Sequence, residues 1–271
     1  MSFALAPPRG NAAGLFVSTG QIARRVLLKF IRSPQLVVVG TLQGAMFLLI
    51  FRYVFGGAID GAGLSYVDFL VPGFVVTSIL FAGSGASAGV AEDIEQGFVD
   101  RLRSLPIPRL SAVAGRALAD TITLVWGLAI TTAIGFAVGF RIGTNAPSAL
   151  AAFGLCVLFG FGFGFGFICI GLFAGNAQAA QGMSLLVFPL TFVSSAYVPV
   201  ATMPSWMRGV ARNQPITIMT NAVRALTEGN AVTSTLGHSA GYYAALSMLW
   251  TAGLVLVFAP LAAFRYSRVN A

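Results

Sequence analysis

The sequence predicts an all-α polytopic membrane protein, and three observations carry that reading. Hydrophobic residues make up 57% of the 271 and charged residues only 9%. The mean hydropathy is +0.85. The apolar residues gather into runs near 36–55, 67–90, 119–140, 148–172, 182–198 and 241–264. A helix of about 20 residues crosses roughly 30 Å of hydrocarbon, so these runs predict six transmembrane helices. Lipid offers no partner to a bare peptide group, and the runs are too long and too continuously apolar for barrel strands.

Basic residues set the orientation. Arg9, Arg24, Arg25, Lys29 and Arg32 precede the first span, Arg101, Arg103, Arg109 and Arg116 lie between the second and third, and Arg265 and Arg268 follow the last. Six spans put all of these on one side, which the positive-inside rule makes cytoplasmic, together with both termini. Arg52, Arg141, Arg208, Arg212 and Arg224 fall outside and pull weakly against that assignment. The net charge of +8 reads as topology plus attraction to anionic headgroups. A nucleic-acid partner would call for a soluble basic domain, and none is evident.

The predicted organisation is a cytoplasmic tail over 1–18, an amphipathic interfacial helix over 19–34, a single transmembrane domain over 35–264 and a second cytoplasmic tail over 265–271. In the interfacial helix Ile22, Val26, Phe30 and Ile31 share a side while Arg24, Arg25, Lys29 and Arg32 surround it, and Pro34 turns the chain into the bilayer. The stretch "ARRVLLKF" resembles a twin-arginine export signal, but the following apolar run is too long and lacks a small-x-small cleavage site. An uncleaved first span is expected.

Little in the chain suggests catalysis. Cys156 and Cys169 both fall in the fourth span, too far apart along a helix to bridge, and read as packing residues. His238, the only histidine, sits in a polar loop. No catalytic constellation and no metal set is predicted. Acids such as Asp120 are expected at span ends rather than at mid-span depth, where an intramembrane enzyme would place them.

The fourth span carries "FGFGFGFGF" over 159–167. On a helix Gly160 and Gly164 share one face, and Gly162 and Gly166 another nearly opposite, so this helix is expected to be sandwiched between neighbours. Phe161 and Phe165 lie on one flank and could line a substrate path; packing explains them equally. The run "AGSGASAG" at 82–89 likewise permits close helix approach, within the chain or across a subunit interface.

The segment 199–230 is too apolar for a free loop, yet Arg208, Arg212, Asn213, Gln214, Arg224 and Glu228 interrupt it too often for a span. Two short helices broken at Pro215, dipping into the outer interface with Trp206 at headgroup level, satisfy both facts. They serve as an outer gate or as a cap on the bundle. In the loop 91–118, seven charged residues crowd into 92–109. A helix from Glu92 to about Leu105, ending before Pro106, would place Ile94, Phe98, Leu102 and Leu105 on one ridge flanked by Glu92, Glu95, Asp100, Arg101 and Arg103. Its acids equal or outnumber its bases, which favours docking into a protein groove over lying on a membrane.

With those segments in view, "EQGFVDRLRSLPIPRLSAVAGRALAD" (95–120) resembles the cytoplasmic loop of type-2 permeases of ATP-binding-cassette exporters, particularly the daunorubicin-resistance branch. "FVSSAYVPVATMPSWMRGVARNQPITIMTNAVRALTEG" (192–229) resembles the same family's second signature, through Pro199, Pro204, Trp206, Asn213, Pro215, Arg224 and Gly229. Gln214 departs from the direct Asn-Pro of many relatives, an insertion common in this branch. The resemblance implies that the 92–105 element is a coupling helix seated on an ATP-hydrolysing subunit, with Glu92, Glu95, Gly97, Phe98, Asp100, Arg101, Leu102 and Arg103 as its coupling residues. It also implies an extracellular re-entrant hairpin holding Pro199, Pro204, Trp206, Asn213, Pro215 and Arg224.

The implied assembly is two permeases, identical or paralogous, with two ATPase subunits, in the plasma membrane of a bacterium. ATP and Mg would bind the partner, and this chain would bind no cofactor. The chain's only lysine, Lys29, has no glycine loop before it and cannot serve a GxxxxGK[ST] phosphate loop. The expected function is export of a hydrophobic or amphipathic compound (drug, lipid or glycolipid) by alternating access. A self-contained ion-driven transporter or channel is the alternative, which the scarcity of mid-span ionisable residues disfavours. A lipid-modifying membrane enzyme is a third.

Overall fold

A computed structural model describes residues 14–32, 46–56, 65–103 and 109–268. Every regular element in them is helical. In order they are α1 (Leu15–Ile31), α2 (46–50) continuing into a π-helical turn (Phe51–Phe55), α3 (Tyr66–Glu95), α4 (Phe98–Arg103), α5 (Arg109–Ala137) and α6 (Ala146–Phe173). There follow α7 (Ala177–Leu185), α8 (Pro189–Phe192), a 3-10 turn (Val200–Thr202), α9 (Ser205–Asn213), α10 (Pro215–Glu228), α11 (Asn230–Leu236) and α12 (Ala240–Arg268).

Four helices among the described residues are long and apolar enough to cross a membrane: Tyr66–Glu95, Ser111–Ala137, Ala146–Phe173 and Ala240–Tyr266. The most apolar stretches of α3 and α6 are 72% and 67% buried, against 22% for α5 and 6% for α12. Helices α3 and α6 therefore form the centre of the bundle, and α5 and α12 its flanks. The first expected span, 36–55, lies partly outside the described residues. The fifth, 182–198, is not a continuous helix. Helix α7 already begins at Ala177, gives way to three i→i−3 turns ending at Phe188, and resumes for one turn at Pro189.

Side-chain caps fix where these helices start. The Asn145 Oδ1 accepts from the Ser148 amide at 2.9 Å with Pro147 in the first turn, and Asn176 Oδ1 accepts from the Ala179 amide at 2.7 Å. Such caps satisfy amides that no helical carbonyl can reach.

Helix α6 is sandwiched as its glycines predict. A Cβ on Gly160 would meet Leu124 of α5 and Ile79 of α3, whereas one on Gly162 would meet Thr251 of α12. Gly164, on the same face as Gly160, has open space instead. The small run of α3 is used within the chain: Gly83 lies under the ring of Phe167, and Ser87 Oγ is 2.7 Å from Ser184 Oγ of α7. Cys156 and Cys169 are buried and unbridged. His238 is exposed and stacks on Tyr242 at 4.1 Å.

The apolar interior forms two clusters. One, around Phe74, Phe159, Tyr197 and Met219, joins the middle of the bundle to α10. The other, around Ile22, Val99, Val113, Ile168 and Tyr266, lies at the end that carries α1 and α4. The segments expected from sequence to carry function pack on these two clusters.

Candidate functional site

The helix expected over 92–105 is two helices. Glu92–Glu95 form the last turn of α3; the chain then turns at Gly97, whose φ is +65°, and α4 begins at Phe98. The amides of Gln96 and Gly97 donate back to Glu92 O and Ile94 O at 2.9 Å each and close the α3 end. A left-handed residue ends a helix cheaply only as glycine, which is why a continuous amphipathic pattern is cut here. Residues 104–108, including Leu105 and Pro106, lie outside the described residues, as do the side chains of Asp100 and Arg103.

Around this break the chain assembles a cluster of charges. Arg25 of α1 donates to Asp93 Oδ1 at 3.1 Å, and Arg116 of α5 donates to Asp93 Oδ2 at 3.1 Å. Arg116 Nε also reaches both oxygens of Asp120, at 3.0 and 2.9 Å, and its Nη2 donates to Ala86 O at 2.9 Å. The side chains of Asp93, Arg116 and Asp120 keep only 10%, 13% and 15% exposure, so each ion's partners must compensate its lost hydration. Gly89 leaves room for Arg116 beside α3, since a Cβ there would fall 2.5 Å from Nη2. At the rim, Lys29 pairs with Glu92 at 2.8 Å.

The coupling residues expected from sequence divide accordingly. Glu92 ties α3 to α1. Glu95 points to a different neighbour, its Oε2 accepting from the Ala177 amide at 3.4 Å at the start of α7. Phe98 lies against Arg25, whose guanidinium carbon is 3.4 Å from the ring centroid. Leu102 packs partly buried on the second apolar cluster, and Arg101 is exposed. Arg25, Asp93, Arg116 and Asp120 were not among the expected site residues. Asp120 lies eleven residues into α5, not at its end, because α5 starts at Arg109. The i,i+4 spacing of Arg116 and Asp120 was the available signal.

At the other end, α9 and α10 form the expected pair broken at Pro215, and Trp206 is 77% exposed. Pro204 precedes α9, Asn213 closes it by donating to Gly209 O at 2.9 Å, and the Pro199 carbonyl accepts from Thr202 Oγ1 at 2.8 Å. Arg224 behaves unlike these surface residues. It is 1% exposed, and its Nη2 donates to Phe69 O and Ser195 O at 2.7 Å each, with Nε reaching Phe69 O at 3.0 Å. Its guanidinium also stacks 3.6 Å from the Phe69 ring centroid. One side chain thereby fastens α10 to α3 and to the 193–197 turn. Gln214 is buried and donates to Leu190 O and Val193 O at 2.9 and 3.1 Å, filling the acceptors left where α8 ends. Phe161 and Phe165 meet edge-on at 5.0 Å within the second cluster.

The profile of ABC-2 type transporters matches residues 18–227, which takes in both of these ends. The chain belongs to the ABC-2 type transporter family. Among similar proteins, the daunorubicin resistance ABC transporter permease protein DrrB1 of Streptomyces coeruleorubidus is 31% identical over 91% of this chain and 85% of its own. The probable doxorubicin resistance permease DrrC of Mycobacterium tuberculosis (strain ATCC 25618 / H37Rv) is 24% identical over 97% and 94%. The putative transport permease ycf38 of Cyanophora paradoxa is 25% identical over 76% and 72%. This ABC-2 chain is thus a membrane protein of the permease type.

Proposed function

We propose that this chain is the membrane-spanning subunit of an ATP-driven exporter, in which a separate ATPase acts on α4 and the bundle alternates between inward- and outward-open states. The observation that carries this reading is α4 itself: a six-residue helix set off by Gly97, seated on buried charge, with its own Arg101 and the preceding Glu95 and Gln96 exposed. A short helix displayed in this way is suited to a groove on another protein. The family match supports ATP and Mg on that partner.

The finer reading has six spans, both termini cytoplasmic in a bacterial plasma membrane, and two permeases, identical or paralogous, with two ATPases. The compound moved is hydrophobic or amphipathic, a drug, lipid or glycolipid, in keeping with the resistance names of the relatives. Pro199, Pro204, Trp206, Asn213, Pro215 and Arg224 act as the outer gate, and half-buried Phe161 is the ring of its pair open to a compound moving along α6.

The test is to purify the tagged chain from its native host in mild detergent, identify what co-purifies and assay ATP hydrolysis. A stoichiometric partner with a phosphate-binding GxxxxGK[ST] loop, lost or uncoupled in Glu95→Gln, Gly97→Ala or Asp100→Asn, supports the exporter. Normal assembly and transport in all three variants would sink the coupling assignment. A homo-oligomer free of ATPase, under conditions that preserve a known exporter, favours the ion-driven alternative.

A further inference from the structure

Helix α4 is short and set off from α3. Its covalent link to α3 is Gly97, with nothing within 4 Å of a Cβ built there. Beneath it lies a small cavity of about 40 Å³, walled by Val99 and Leu102 of α4, Ile22 and Val26 of α1, Val113 of α5 and Ile168 of α6. Apolar packing under α4 is therefore not complete, although Val99 and Leu102 seat it on the second cluster. A rigid contact is needed to carry a push on α4 further.

Arg25 makes such a contact. One face of its guanidinium covers the Phe98 ring at 3.4 Å, while its Nη1 edge donates to Asp93 at 3.1 Å. Asp93 is held in turn by Arg116, which is anchored on Asp120 and Ala86 O. Arginine is the side chain that can stack by its face and donate by its edge at once; lysine cannot. Arg25 also belongs to α1, which lies along α5 with Ile22 against Gly115.

We propose that Arg25 is a positioning residue for coupling: it clamps Phe98 of α4 to the Asp93–Arg116–Asp120 cluster, so that displacement of α4 is carried into α1. The inference rests on the exporter reading. It predicts that α1 moves when nucleotide binds the partner, and that the movement requires the Arg25–Phe98 stack.

The complex of this chain with its co-purifying ATPase provides the test. A nitroxide attached at Gly20→Cys, an open position on α1, reports the mobility of that helix without and with ATP plus vanadate. Cys156 and Cys169 stay native because both are buried. The expected result is a nucleotide-dependent change in the unmodified background that is lost in Arg25→Ala and in Phe98→Leu, with no further loss in the double variant. Arg25→Lys keeps the charge on Asp93 but restores little of the response. Arg25 is not one of the expected ATPase-facing residues and Asp93 retains Arg116 without it, so Arg25→Ala is expected to leave assembly with the ATPase intact. Phe98→Leu is compared in complexes that have assembled. A full nucleotide response in an assembled Arg25→Ala complex would overturn the proposal, as would a wild-type α1 that does not respond. A merely structural role would lower the melting temperature yet leave the response. If the wild-type chain captures no ATPase, the exporter reading has failed and this inference falls with it, an outcome distinct from the other two.

Discussion

Arg224 shows how far one residue's role depends on its surroundings. Its partners are carbonyls and a hydroxyl, Phe69 O, Ser195 O and Ser195 Oγ, the first of them 155 residues earlier in the chain. Removing the guanidinium strands several buried acceptors, so Arg224→Ala is expected to destabilise the protein by roughly 3 kcal/mol. Arg224→Lys should recover only part, since an ammonium cannot match the fork. Thermal unfolding in detergent measures both. Glu228, at the end of α10 and outside the four long helices, is half-buried with Oε1 making no hydrogen bond. Burial, and secondarily the charge of Asp68, pushes its carboxyl up to about 7 against a hydrogen bond from Thr227. The folded state thus holds the proton more tightly. The stability it contributes is full below about 4.5 and is lost as pH rises through about 7. Melting temperature followed over that window should fall with pH, and Glu228→Gln should flatten the trend.

Among the elements, α4 owes its independence to Gly97. Gly97→Ala adds no clash, because the space is open, but places an L-residue at φ +65° at a cost of about 1 kcal/mol. Relief comes by letting α3 run on into α4, which would take Phe98 off Arg25. Amide exchange over Phe98–Arg103 is expected to slow while ATPase capture falls; unchanged exchange would refute the hinge. Much at this scale was legible. The paired glycines announced the sandwich of α6, and Pro215 with its flanking polar residues announced the α9–α10 pair. The break at Gly97 was not read, because the apolar ridge of Ile94, Phe98 and Leu102 fits one continuous helix and periodicity does not reveal a left-handed residue. The interruption of the fifth span was missed for a similar reason. Hydropathy averages over Pro189, whereas the turns around it are held by Gln214, twenty or more residues further on.

For the whole molecule, the two ends are built on different physics. One is an ion cluster beneath a short helix set off by Gly97, and the other a buried arginine that fastens α10 to the central helix α3. Six spans would put them on opposite sides of the membrane. A membrane-impermeant thiol reagent should then label Gly20→Cys only from the cytoplasmic side and Trp206→Cys only from outside; labelling of both from one side would overturn the topology. The sequence by itself determined that this is a helical membrane protein, which residues pack its central helix and which family signatures it carries. These properties live in composition and in spacing along single helices, where each residue's environment is set by near neighbours. Only the tertiary structure decided that Arg25 and Phe98 meet over Asp93, and that Arg224 turns inward. Both contacts join segments far apart in sequence, and a charge's partners are chosen by which backbones the fold brings within 3 Å of it.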